Sequence, residues 1–373
     1  MSEFAGQFPK TAAAIDAGRS QNLHLGAQLY ISRHGQTLAD AAFGQSRPGV
    51  DMTPNSIPLW LSAGKPFAAV AIAQFWEAGQ LDLDDPVVRF IPEFAARGKQ
   101  AVTIRHLLTH TAGLRWVEWS PSWQEMISRI CNAPLEPRWI PGQTAGYHPF
   151  TTWYLLGEII RRLDPTHRPY EAFIAEEVFR PLGMTDCFFA MSPDQYRAYA
   201  ARIAPLELTN QSNGRPAFFD TQSGCAVCSP GASGRGPAHQ LGRFYEMLLA
   251  HPGAPGLLKP QTVETLTSRQ RIGMHDITFK HIIDWGLGFI VNSAHYGEAI
   301  PYGFGNRASL RAFGHGGSQS SVAMADPEYG VAIVVIFNGM PGEDAHQRRM
   351  RATLEAVYED LGIGGKNRNL KSE

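Results

Sequence analysis

Apolar and polar positions follow two different periods along this chain, and the switches between them divide it into regions. Residues 26–32 (GAQLYIS) alternate loosely, His34, Gly35 and Gln36 supply a turn, and residues 37–43 continue the alternation, which predicts a β-hairpin. Residues 11–20 ahead of it read as a helix. From Ser62 to Ala78 the period changes. Phe67, Val70, Ala71, Phe75 and Ala78 recur at helical spacing and Gly79 follows as a stop signal, so a largely buried helix is expected. Residues 103–110, 122–131, 151–163, 169–179 and 236–250 also read as helices, joined by loops rich in Pro and Gly. From about residue 284 short β-prone runs return: WGLGFIV (285–291), SLRAFGH (309–315), SSVAMAD (320–326) and GVAIVVIFN (330–338). Turn residues separate them, Gly316 with Gly317 and then Pro327 to Gly330, which is the pattern of an antiparallel meander. A helix from about Asp344 to Leu361 closes the chain.

Strands and a helix thus begin the chain and end it, with a mostly helical block between. The expectation is an α+β fold: an antiparallel sheet built from both termini and flanked by helices, carrying a mostly helical inserted region. One catalytic domain over residues 1–373 is expected, with an α/β part (about 1–60 and 284–373) and a helical part (about 61–283). A site belongs at their junction.

Composition narrows the classes. With 44% hydrophobic residues in 373, the chain can bury a sizeable core. A formal net charge of −1 offers no electrostatic footprint for nucleic acid or an anionic membrane. The basic cluster Arg348, Arg349 and Arg351 reads as a solvated helix face. Four cysteines are few for a disulfide scaffold, and the C-x-x-C of Cys225 and Cys228 lacks the two further ligands a zinc site needs. The first ten residues hold no apolar signal core and no window holds 18 uninterrupted apolar residues, so a cytoplasmic protein without a membrane partner is expected.

The chemistry begins at Ser62-Ala63-Gly64-Lys65. A serine hydroxyl needs a base to become a nucleophile. Residues three apart on a helix share a face, so Lys65 can reach Ser62. A lysine at its reference pKa of ~10.4 is protonated; serving as a base near neutrality needs a drop of about 3 units, ~4 kcal/mol. Burial at the start of an apolar helix and the positive end of the helix dipole both push that way. Pro66 cannot donate to the Ser62 carbonyl, so the first turn must be looser than usual. The second element is Gly146-Tyr147-His148-Pro149 before the helical run WYLLGEII. Lying just ahead of a helix N-terminus, the Tyr147 phenol is expected to ionise more readily than usual and to relay a proton, with His148 a candidate substrate contact. The third is Gly314-His315-Gly316-Gly317-Ser318 at the end of a strand, where paired glycines admit a close neighbour and the Ser318 amide can serve an oxyanion.

Other patterns fail. No serine lies in G-x-S-x-G. His106 and His110 have metal-ligand spacing, but Leu107 holds the place where H-E-x-x-H needs its glutamate. The stretch RWVEWSPSW (115–123) carries Trp116, Trp119 and Trp123 at spacings that share one face if helical, although Pro121 interrupts. The rings are either core aromatics or an apolar wall gripping substrate, with Trp116 and Trp119 as the binding candidates.

In combination, S-x-x-K, a tyrosine about 80 residues on, and [K/H]-[T/G]-G on a late strand resemble the serine β-lactamase and penicillin-binding protein superfamily. The likeness is greatest to its class C-like branch, with family VIII carboxylesterases and related acyltransferases. IRHLLTHTAGL (104–114), VFRPLGMTDCFF (178–189), LGRFYEMLL (241–249) and WGLGF (285–289) match the same branch, so the likeness runs from about residue 12 to about residue 361. It implies a β-lactamase-like fold in which Ser62 is acylated, Lys65 and Tyr147 move protons, and His315-Gly316-Gly317 takes the place of K-T-G. The Ser62 and Ser318 amides would form the oxyanion hole, and Gly316 and Gly317 would border the substrate. No metal or organic cofactor is implied. Pro149 stands where β-lactamases usually carry Asn, and His315 replaces a lysine whose fixed charge would hold a substrate carboxylate. Both departures point to a small ester or acyl substrate rather than a β-lactam, with hydrolysis or acyl transfer as outcomes.

Overall fold

The computed structural model describes residues 2–209, 218–249 and 256–365. Its centre is a seven-stranded antiparallel sheet. In chain order the strands are β1 (Gly26–Arg33), β2 (Gln36–Arg47), β3 (Val50–Asp51), β4 (Ile290–Val291), β5 (Phe313–Gly317), β6 (Ser321–Asp326) and β7 (Val331–Phe337). They lie side by side as β3-β2-β1-β7-β6-β5-β4, so the first and last strands to be made meet in the middle, with Tyr30 opposite Val334. The expected α+β class is the observed one.

Both faces of the central strands are covered, which is why β6 and β7 read as unbroken apolar runs and not as alternation. Ile333, Val335 and Phe337 face a core completed by Ile15 of helix α1 (Pro9–Ser20) and by Leu354 and Val357 of the C-terminal helix Glu343–Asp360. Ala332, Val334 and Ile336 face a larger core shared with helices α2 (Lys65–Glu77), α3 (Thr151–Leu163) and α4 (Ala238–Leu248). The C-terminal helix is α5. Among the described residues, no helix is long and apolar enough to cross a membrane.

Two expected strands are altered. In WGLGFIV only Ile290–Val291 joins the sheet. Gly288 sits at φ +86°, and a β-carbon there would fall 2.5 Å from the Ala69 side chain, so this glycine lets the segment press onto α2 instead of running straight. The second run, SLRAFGH, starts pairing later than expected, at Phe313, because the Ser309 amide and hydroxyl are drawn to buried Asp326.

Candidate active site

The local chain around Ser62 is shaped by Pro66. Leu61–Gly64 forms a 3-10 turn, and α2 proper begins at Lys65 with the proline in its first turn. The Ser62 carbonyl, denied an α-helical donor, accepts from the Lys65 amide instead. At the first residue of the turn, Leu61 takes φ +51°, a conformation unfavourable for a residue with a β-carbon. The result directs the Ser62 side chain into a cavity of about 650 Å³ between the sheet edge and the helical region.

Lys65 lies wholly buried beneath it. Its Nζ is 2.7 Å from Ser62 Oγ and donates to the Gly231 carbonyl at 2.6 Å. The ammonium position also lies 5.2 Å from the centre of the Tyr147 ring and 5.6 Å from that of Trp153. Burial without a compensating carboxylate drives the Lys65 pKa well below its ordinary value. As a neutral amine it gives a hydrogen to Gly231 and keeps a lone pair for the Ser62 proton.

Tyr147 donates to Ser62 Oγ at 2.8 Å from the other side. Its electrostatics correct the sequence expectation. The following helix begins only at Thr151, while the phenol ring is packed against His110, Phe279 and Trp285. Burial, with the negative charge of Asp276 adding to it, raises the phenol pKa. Tyr147 is therefore a neutral phenol that donates a hydrogen bond, not a ready anion.

On the opposite wall β5 passes so close to the nucleophile turn that a β-carbon at Gly317 would stand 2.2 Å from the Trp60 carbonyl oxygen. Ser318 follows, lining the cavity with Ser62. Gln319 next to it takes φ +49° and is tied at three points: its amide to the Tyr302 hydroxyl, its carbonyl to Arg349 and its side chain to the Gly342 amide. Gly317 thus faces the main chain of Trp60, two residues before Ser62, and of the two glycines only Gly316 borders the cavity.

His315 also borders the cavity but is almost entirely buried. Its Nδ1–H donates to the Gly316 carbonyl at 2.8 Å. Burial, then the nearby Lys65, pushes its pKa down to about 3, so the position that the resemblance aligns with the lysine of K-T-G is uncharged at neutral pH.

Other candidates are placed elsewhere. His148 does not reach the cavity: it is buried, and its Nε2 accepts from the Gly113 and Leu114 amides at 3.1 and 3.0 Å, serving main-chain donors that would otherwise be orphaned. The tryptophan stretch is irregular up to Ser122, so its rings share no face. Trp116, 60% exposed, lines the cavity. Trp119 packs on Phe218 and Phe219, and Trp123 donates to Glu158. His106 accepts from the Thr103 amide in a helix cap and shares no ligand set with His110. The basic cluster is a solvated face only in part, with Arg348 exposed and Arg351 half-buried. Arg349 is buried, donating to the Gln319 and Gly339 carbonyls at 2.8 and 2.6 Å, and Arg348 and Arg351 border the cavity.

Sequence reasoning missed Gly231, Asp276 and the cavity wall made by Thr278, Phe279, Ile290 and Tyr302. None belongs to a short motif: Gly231, Ile290 and Tyr302 come from separate segments, and Asp276, Thr278 and Phe279 from one further hairpin.

The β-lactamase family model matches residues 11–358. Esterase EstB of Burkholderia gladioli is 29% identical over 321 residues, spanning 75% of this chain and 79% of that protein. A monacolin J acid methylbutanoyltransferase of Aspergillus terreus is 25% identical over 360 residues, spanning 81% and 82%. A penicillin-binding protein homologue from Caulobacter crescentus superimposes with a TM-score of 0.77 at 28% identity, covering 94% of this chain and 97% of that one. The sheet, the Ser62 turn and the family match cover the same span, and the chain belongs to the β-lactamase family.

Proposed function

We propose that this protein is a serine esterase that forms an acyl ester on Ser62. The observation that carries the reading is a serine hydroxyl held between a fully buried lysine amine at 2.7 Å and a neutral tyrosine hydroxyl at 2.8 Å, on the wall of a cavity.

Lys65 takes the Ser62 proton as Oγ attacks the ester carbonyl carbon. The carbonyl oxygen gains the charge and is met by the Ser62 and Ser318 amides. As the intermediate collapses, the alcohol oxygen leaves with the Tyr147 proton, and the phenolate so formed takes up the proton held on Lys65, which restores both groups. Water repeats the cycle to release the acid. With His315 uncharged and Pro149 without a donor, the two positions that align with the β-lactamase lysine and asparagine offer neither a fixed cation nor an amide to a β-lactam, which supports an ester substrate.

A second reading is acyl transfer to an alcohol or amine. It is favoured by the room in the cavity beside Ser62 and by its apolar wall of Trp116, Phe279, Ile290 and Pro301, which can seat an acceptor and exclude water. One experiment separates the readings. Wild type and Ser62→Ala are mixed with p-nitrophenyl esters of rising chain length, with and without an added amine, and with nitrocefin. Wild type should show an acyl adduct by intact mass and favour short esters over nitrocefin by at least ~10² in kcat/KM. Amide product in place of acid selects transfer. An adduct on Ser62→Ala overturns both.

A further inference from the structure

The motif HLLTHTAGL has no place in the chemistry above, yet its last histidine lies under the proton donor. His110 is fully buried and takes φ +58°. Its ring centre is 4.7 Å from that of Tyr147 and 4.4 Å from that of Trp285.

Its bonds bracket the tyrosine. The Gly146 amide donates to the His110 carbonyl at 3.1 Å and the His148 amide donates to His110 Nδ1 at 3.0 Å. Between them, the Tyr147 amide donates to Asp276 Oδ1 at 3.0 Å. Three consecutive main-chain donors are thus captured by two side chains and one carbonyl in a segment that lacks regular structure. Asp276 Oδ1 also accepts from the Thr278 and Phe279 amides, while its Oδ2 is held by buried Arg271 at 3.0 Å. The tyrosine and one cavity wall therefore hang from the same carboxylate oxygen.

We propose that His110, acting with Asp276, is a positioning residue that fixes the Tyr147 hydroxyl against Ser62. Accepting at Nδ1 requires a neutral ring with its proton on Nε2; a second proton would turn the acceptor into a donor and release the His148 amide. Burial opposes that second proton. A hydroxyl displaced by about 1 Å loses roughly 10²-fold in rate, so small slack in residues 146–148 is enough to matter.

The inference rests on the proton-donor role of Tyr147, and a double-mutant cycle tells the two apart. His110→Asn keeps a short acceptor and tolerates the left-handed backbone; His110→Ala keeps neither. With p-nitrophenyl acetate, and rates taken per folded molecule by near-UV circular dichroism, His110→Ala should lower kcat by about 10²-fold with KM within about threefold. His110→Asn should recover most of the loss. In a Tyr147→Phe background, His110→Ala should cost no more than about twofold further. If His110→Ala does not fold, His110→Gln, whose acceptor is displaced by one methylene, replaces it. A full further loss in the Tyr147→Phe background, or His110→Asn as slow as His110→Ala, overturns the inference and leaves the tyrosine's role intact. Normal activity in Tyr147→Phe alone overturns both.

Discussion

Gly317→Ala adds one methyl group where the oxyanion strand meets the nucleophile turn. The new β-carbon would lie 2.2 Å from the Trp60 carbonyl oxygen, 2.4 Å from Ser321 Oγ and 3.1 Å from Ser320 Oγ. Both hydroxyls can rotate. The carbonyl cannot, because it belongs to main chain held by the Trp60 amide on Gly234, by Ser321 Oγ and by the Ala63 amide. Real β-carbons essentially never come within 3.0 Å of such an atom, so β5 and the Leu61–Gly64 turn must part by nearly 1 Å. That movement separates the Ser62 and Ser318 amides, which the proposed mechanism brings to bear on one oxygen. Loss of one oxyanion donor costs ~10²–10³ in kcat, about 3–4 kcal/mol, while overpacking costs ~1–3 kcal/mol of stability. The assay is kcat on p-nitrophenyl butyrate with melting temperature on the same sample, using Gly6→Ala as control because nothing lies within 4 Å of its β-carbon. A folded Gly317→Ala enzyme within about threefold of wild-type kcat would refute the reasoning.

Two further predictions concern acid and the tryptophans. Burial pushes His24, His148, His315 and His346 each down to about 3, while the unfolded chain titrates near 6.5. The unfolded state therefore binds more protons than the native one below pH ~6.5, and stability that is full above that value is lost as pH falls toward 3. At roughly 1 kcal/mol per histidine per pH unit the loss rivals a total stability of ~5–15 kcal/mol. Melting temperature should fall by roughly 10 °C between pH 7 and pH 5; a flat profile there would show that these rings accept protons in place. Trp119→Ala should cost about 2–3 kcal/mol by stripping the packing from Phe218 and Phe219, with ester chain-length preference unchanged. Trp116→Ala should alter stability by less than ~1 kcal/mol and raise KM for longer esters; the reverse pattern in thermal and kinetic measurements would reassign the rings.

What the sequence by itself determined is whatever depends on near neighbours. The periods of 3.6 and 2 placed α1, α2 and the hairpin, because side-chain direction along a helix or strand repeats with backbone geometry alone, and short apolar runs bounded by turn residues placed β6 with β7. The approach of Lys65 to Ser62 is of the same kind, since residues three apart share a helical face. Tertiary structure decided the rest. The Ser62–Tyr147 contact spans 85 positions and depends on how the helical region seats against the sheet. Burial is a property of the assembled fold, so it reversed the expected shift of the Tyr147 phenol and turned Arg349 from a presumed surface charge into a clasp on Gln319. His148 and Trp119 carried plausible side chains at plausible positions, but main-chain donors at Gly113 and Leu114, and rings at Phe218 and Phe219, had the stronger claim on them. The oxyanion wall shows the division most clearly. Paired glycines in sequence announce that something comes close, and only the folded chain shows that at Gly317 it is the carbonyl of Trp60, two residues before the nucleophile.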